Sequence, residues 1–164
     1  MDTPIGAAEH YGPAALRHEF ECGTDGPRVI VVGVDGSPTS EHAAAYAAGL
    51  ARRQRCRLVV VFVGAPSGLL TTMYADLAVA AADANDEVAE QLRAGARQAA
   101  EEMGLPVTFV VRQGDPFAQL RDTADQFKAD MLVVGTSAQA GHRFLGSVAT
   151  RLVRLGRWPV VVVP

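Results

Sequence analysis

From Val133 to Ser147 the chain reads Val-Val-Gly-Thr-Ser-Ala-Gln-Ala-Gly-His-Arg-Phe-Leu-Gly-Ser. An apolar run ends in Gly135 and a small-residue loop, a basic pair follows, and Gly146-Ser147 opens a helical pattern. Glycine lets a backbone approach a ligand closely. The N–H groups of such a loop, with the helix start behind them, can hold phosphate or another anion. The charge pattern agrees: after Asp130 there is no acidic residue, while Arg143, Arg151, Arg154 and Arg157 are all basic. The competing reading is a plain strand-to-helix turn on a basic helix face.

Other residues extend this chemistry. Asp35 follows an apolar run and can accept hydrogen bonds from an adenine amine or ribose hydroxyls, help hold a metal, or simply end a turn. Ser147 can offer its hydroxyl and N–H to a phosphate, or act as an N-cap. Arg143 can donate to phosphate in bidentate fashion, and His142 lies beside it. Arg151, Arg154 and Arg157 read as a solvated helix face. Catalytic arrangements are thin. No phosphate-binding G-x-x-x-x-G-K-[ST], no G-x-G-x-x-G after the first strand and no G-x-S-x-G elbow occurs. Cysteine and histidine lack metal-ligand spacing.

The elements that must place these residues follow from periodicity. Val29–Val34 is a β-branched run interrupted only by Gly33, the pattern of a strand buried on both faces. Ser37 and Pro38 then predict an N-cap and first helical position, with a helix to about Arg53. Leu58–Val63 predicts the second strand. A helix is expected from about Thr72 to Met103, with Leu77, Ala81, Ala84, Val88 and Leu92 facing the core. Val107–Val111 is the third strand, Asp115-Pro116 starts a helix to Phe127, and 130–134 is the fourth strand. A last helix is expected to bury Val148, Leu152 and Leu155, and Val160–Val163 closes the sheet. Strands alternating with helices imply right-handed crossovers and a parallel sheet covered on both faces, with ligands beyond the carboxyl ends of strands one and four.

Bulk properties narrow the classes. A chain of 164 residues is one domain. The first 27 residues carry five acids and many glycines and prolines, and are expected to form a mobile arm ahead of a domain over 28–164. A net charge of −3 disfavours general nucleic-acid binding. No apolar run is long enough to span a membrane and no secretory signal is visible; Cys22 and Cys56 make no disulfide framework. The expected location is the cytoplasm. Val160, Val161, Val162 and Val163 form an apolar last strand, and such an edge invites pairing with a second copy.

Taken together, Val-Gly-Val-Asp-Gly-Ser-Pro at 32–38 (counting from Val32), Val-Val-Gly-Thr-Ser at 133–137, Gly-Ser-Val at 146–148 and the closing Trp-Pro-Val-Val-Val-Val-Pro resemble the universal stress protein family over about residues 28–164. The resemblance implies a three-layer, Rossmann-like α/β sandwich, with a five-stranded parallel sheet in the order 3-2-1-4-5. It also implies a homodimer through the last strand. One branch of that family binds ATP through Gly-x-x-Gly, nine residues, then Gly-Ser or Gly-Thr. Carried over, the nucleotide-binding positions are Gly33, Val34 and Asp35 after strand one, Val63 (or Phe62) at the end of strand two, Val134, Gly135 and Thr136 after strand four, and Gly146, Ser147 and Val148. Ala138 stands where the second motif glycine belongs, and the interval to Gly146 is two residues shorter than the motif. Gly141 is assigned the missing glycine's conformational role and Arg143 a phosphate contact. The implied ligand is ATP with Mg²⁺, with ADP or AMP as shorter alternatives. The expected action is binding, with no turnover or at most slow ATP hydrolysis. The alternatives are an interaction protein of the same fold with a vestigial site, and a small enzyme acting on adenylated or phosphorylated substrates through Asp35 or His142.

Overall fold

The computed structural model describes residues 26–64, 75–137 and 145–164. The expected arm, both glycine-rich loops' interiors, and with them Cys22, Ala138, Gly141, His142 and Arg143, lie outside the described residues. The elements run β1 (Val29–Val34), α1 (Pro38–Gln54), β2 (Arg57–Gly64), α2 (Ala75–Met103), β3 (Val107–Gln113), α3 (Pro116–Phe127), β4 (Met131–Gly135), α4 (Ser147–Leu155) and β5 (Val160–Val163). The five strands form one sheet in the order β3-β2-β1-β4-β5, and every pairing is parallel.

Strand alternation sorts the apolar residues into two cores. Ile30, Val32, Leu58, Val60, Phe62 and Val133 point to one face, where α1 supplies Ala43, Ala47 and Ala51 and α2 supplies Ala89. The small alanines let α1 lie close on the sheet. Val31, Val59, Val61, Leu132 and Val134 point to the other face, under Leu120 and Ala124 of α3 and Ala149 and Leu152 of α4. Both faces of β1 are thus covered, as its unalternating apolar run predicts.

Three expectations need correction. Ala84 is exposed, and Ala89 takes the buried place on α2. Val88 and Asn85 already stand over Gly36 and Gly64, at the carboxyl ends of β1 and β2. The turns before Asn85 therefore project past the sheet. Leu77 lies outside the residues whose side chains are described. Leu155 ends α4 and is 38% exposed, because Leu152 and Ala149 already fill the core face. The fourth strand starts at Met131, not Asp130. The Asp130 carboxylate instead accepts the N–H groups of Arg28 and Val29 at 2.8 and 3.0 Å, tying down the start of β1. Among the described residues no helix is long and apolar enough to cross a membrane.

Candidate functional site

The carboxyl end of β1 turns sharply into α1. Gly36 has φ +82°, a left-handed conformation that suits glycine. Asp35 Oδ1 accepts the Ser37 N–H at 2.9 Å across this turn. Ser37 caps α1, its hydroxyl accepting the Ser40 N–H, with Pro38 at the first helical position. The Ser40 hydroxyl donates to the Ser37 carbonyl at 2.9 Å and accepts the Asp35 N–H at 3.2 Å. Partial burial pushes the Asp35 carboxyl up, but the hydrogen bonding of the Ser37–Ser40 turn outweighs it and holds the group below its ordinary value. Asp35 is therefore an ionised acceptor at neutral pH.

The end of β4 meets the same turn. A Cβ on Gly135 would fall 2.6 Å from the Thr39 carbonyl oxygen and 3.0 Å from the Ser40 nitrogen. Gly135 thus lets the first turn of α1 pack backbone to backbone on β4. The Thr39 hydroxyl donates to the Thr136 carbonyl at 2.7 Å, and the Thr136 N–H donates to the Val163 carbonyl at 2.9 Å. The loop that leaves at Ser137 returns at Gly146, where an added Cβ would sit 3.0 Å from the Ser137 Cβ. Gly146, not Ser147, is the N-cap of α4, and no described side chain caps that helix. The N-termini of α1 and α3 have such caps, from Ser37 and Asp115. The first-turn N–H groups of α4 lack one and carry the positive end of the helix dipole.

These parts enclose a cavity of about 430 Å³ at the carboxyl ends of β1, β2 and β4, on the α3/α4 face of the sheet. That is within the range of small-molecule sites. Its floor is apolar, from Val61, Val63, Val134 and Leu120. Leu120 reaches over Gly33, where an added Cβ would lie 3.0 Å from its Cδ1. Asp35 is the one carboxylate among the described lining residues. The helix-face arginines do not serve the cavity. Arg151 pairs with Asp115 at 3.0 Å and stacks 4.1 Å from the Phe117 ring centroid. Arg157 pairs with Asp125 at 2.7 Å and lies over Trp158. The acid-free stretch after Asp130 is thus partly neutralised by Asp115, the N-cap of α3, and Asp125 within it.

A cavity at the switch point between β1 and β4, where Asp35, Gly135 and Gly146-Ser147 converge, matches the motifs of one family, and the model of the Universal stress protein family matches residues 27–164. The chain belongs to the universal stress protein family. It is 29% identical over 143 residues to a universal stress protein of Methanocaldococcus jannaschii, which spans 82% of this chain and 80% of that relative. A universal stress protein solved in complex with cAMP superposes with a TM-score of 0.63 at 24% identity, over 84% of this chain and 97% of that one. The universal stress protein from Archaeoglobus fulgidus in complex with dAMP gives 0.56 at 22%, over 82% and 96%.

Against the universal stress protein pattern, Gly33, Val34, Asp35, Val63, Val134, Gly135, Thr136, Gly146, Ser147 and Val148 all line the cavity. Gly141 and Arg143 lie outside the described residues. Of the two candidates on β2, Phe62 points into the opposite core and Val63 into the cavity face. Sequence reasoning missed the α1 hydroxyls of Ser37, Thr39 and Ser40, the α3 wall of Pro116 and Leu120, and Ser137, Val61 and Ala149. The Ser-Pro-Thr-Ser run at 37–40 carried a signal. Three hydroxyls in the first turn of a helix entering from a switch-point strand suit a polar cleft.

Proposed function

We propose that this universal stress protein binds an adenine nucleotide in the cavity, and that it acts through binding rather than fast turnover. The observation that carries the reading is the order of surfaces along the cleft. β2 offers the apolar Val61 and Val63, β1 in the middle offers the ionised Asp35, and β4 with α4 offers uncapped N–H groups. Adjacent strands lie about 4.8 Å apart, so β2 and β4 stand about 10 Å apart across β1. A ligand that fits has a flat apolar ring, then hydroxyl or amine donors, then an anion. An adenine nucleotide has that sequence of parts. Family members solved with cAMP and dAMP support the choice of base. ATP is the first candidate, with ADP and AMP next. With Asp35 the only described carboxylate on the cavity, Mg²⁺ would be held mainly by the nucleotide phosphates. Any hydrolysis of the bound nucleotide is expected to be slow.

Isothermal titration with ATP, ADP, AMP, cAMP and dAMP, with and without Mg²⁺, tests this. Saturable binding at one site per chain is expected. Asp35→Asn should weaken it about tenfold, since the amide keeps an acceptor for Ser37 but loses the charge. Absence of binding to every nucleotide would overturn the reading in favour of an interaction protein with a vestigial cleft.

The same reading includes a homodimer in the cytoplasm. β5 is an edge of the sheet, and its four valines are only half-buried. An unpaired apolar edge is readily completed by the same strand of a second copy. Sedimentation equilibrium should give a dimer mass, and Val162→Pro, which removes a ladder donor, should give a monomer. An unchanged mass for that variant would remove β5 from the interface.

A further inference from the structure

The hydroxyls at the start of α1 form a directed chain. A carbonyl can only accept, so the Thr39 hydroxyl spends its single proton on the Thr136 carbonyl, at 2.7 Å. In its 3.2 Å contact with Ser37 Oγ, Thr39 Oγ1 can then only accept. Ser37 Oγ accepts in turn from the Ser40 N–H, and the Ser37 N–H donates to Asp35 Oδ1. The chain runs from the Asp35 carboxylate through Ser37 and Thr39 to the first peptide beyond β4.

Thr136 is held at both ends of its backbone. Its carbonyl is fixed by Thr39 from α1 and its N–H by Val163 from β5. Directly before it, Gly135 packs on the Thr39 carbonyl. Thr39 lines the cavity, yet with its hydroxyl proton committed its side chain has no donor left for a phosphate. The hydroxyl can influence an anion only by fixing the backbone that leads into Ser137 and the loop.

We propose that Thr39 is a positioning residue: its hydroxyl latches Thr136, sets the start of the loop after β4, and so orients the anion end of the cleft toward Asp35. The effect on ligand rests on the nucleotide reading above; the latch itself does not. The test compares Thr39→Val, which keeps the shape and removes the hydroxyl, with Thr39→Ser, which keeps the hydroxyl. Amide hydrogen exchange is followed at Thr136, with Val59 in the core as the global reference, and ATP affinity is measured by calorimetry. Thr39→Val is expected to speed exchange at Thr136 about tenfold, with little change at Val59, and to weaken ATP about tenfold. Thr39→Ser should restore both. The proposal is overturned if Thr136 exchanges at the wild-type rate in Thr39→Val, if Val59 speeds up equally, or if Thr39→Ser loses as much as Thr39→Val. It is also overturned if Thr39→Val binds ATP as tightly as a wild type that binds it. If the wild type takes up no adenine nucleotide, the nucleotide reading fails by itself. Exchange at Thr136 then decides the latch alone.

Discussion

Replacing Gly135 by alanine is expected to cost about 3 kcal/mol of folding stability, read as a lower urea midpoint at unchanged m-value. The new Cβ would lie 2.6 Å from the Thr39 carbonyl oxygen and 2.7 Å from its carbon. Both are backbone atoms of the first turn of α1, so no side-chain rotation relieves the clash. The helix must move off β4, breaking the Thr39–Thr136 hydrogen bond and thinning the core beneath Ala43 and Ala47. Gly95 provides the contrast. It sits inside α2 with nothing within 4 Å of an added Cβ, so Gly95→Ala should gain up to about 1 kcal/mol from helix propensity. A Gly135→Ala protein with the wild-type midpoint would mean that the α1–β4 contact is not close-packed.

Leu152→Ala is the second large effect, at about 2–5 kcal/mol. α4 has nine residues, of which only Ala149 and Leu152 are buried. Leu152 is fully enclosed by the α3/α4 core and is the one large anchor of the helix. Losing it leaves a cavity and frees the helix whose first turn supplies Ser147, Val148 and Ala149 to the cleft. Ligand affinity should fall along with stability, even at temperatures where the variant is fully folded. Val153→Ala on the same helix, at a position 50% exposed, should change stability by less than about 0.5 kcal/mol. Chemical denaturation and calorimetry on the pair test both statements. Unchanged affinity in folded Leu152→Ala would separate α4 from the site.

What could be read from the residues, and what could not, divides along physical lines. β1, β2 and β4 are legible because strands buried on both faces need continuous apolar runs rather than alternating ones. The starts of α1 and α3 were legible because Ser37-Pro38 and Asp115-Pro116 combine a capping acceptor with a fixed φ. Those are local rules. The contacts that shape the cleft are not local. Thr39 meets Thr136 across 97 positions, and Asp130 reaches back 102 positions to Arg28. Nothing in the spacing of Arg151 and Arg157 announces that Asp115 and Asp125 neutralise them. Leu155 kept the helical period but fell at the last position of α4, where the chain turns away at Gly156 in a left-handed conformation. The sequence offers Gly135 as room for a ligand; Gly135 does line the cavity, while the space its missing Cβ leaves is taken by α1.

The separation of the two cores carries a consequence for how such a protein can change over generations. Val61, Val63, Val134 and Leu120, the apolar floor of the cleft, all belong to the α3/α4 face. The tightly packed alanines of α1 lie on the opposite face with Phe62 and Leu58. Mutations in the alanine-lined layer alter how firmly the molecule holds together, and leave the shape of the floor largely untouched. Mutations in the floor reshape what can be accommodated, while the opposite layer supplies a reserve that absorbs the damage. A lineage can therefore change its ligand preference through the floor while drawing on the stability of the opposite layer.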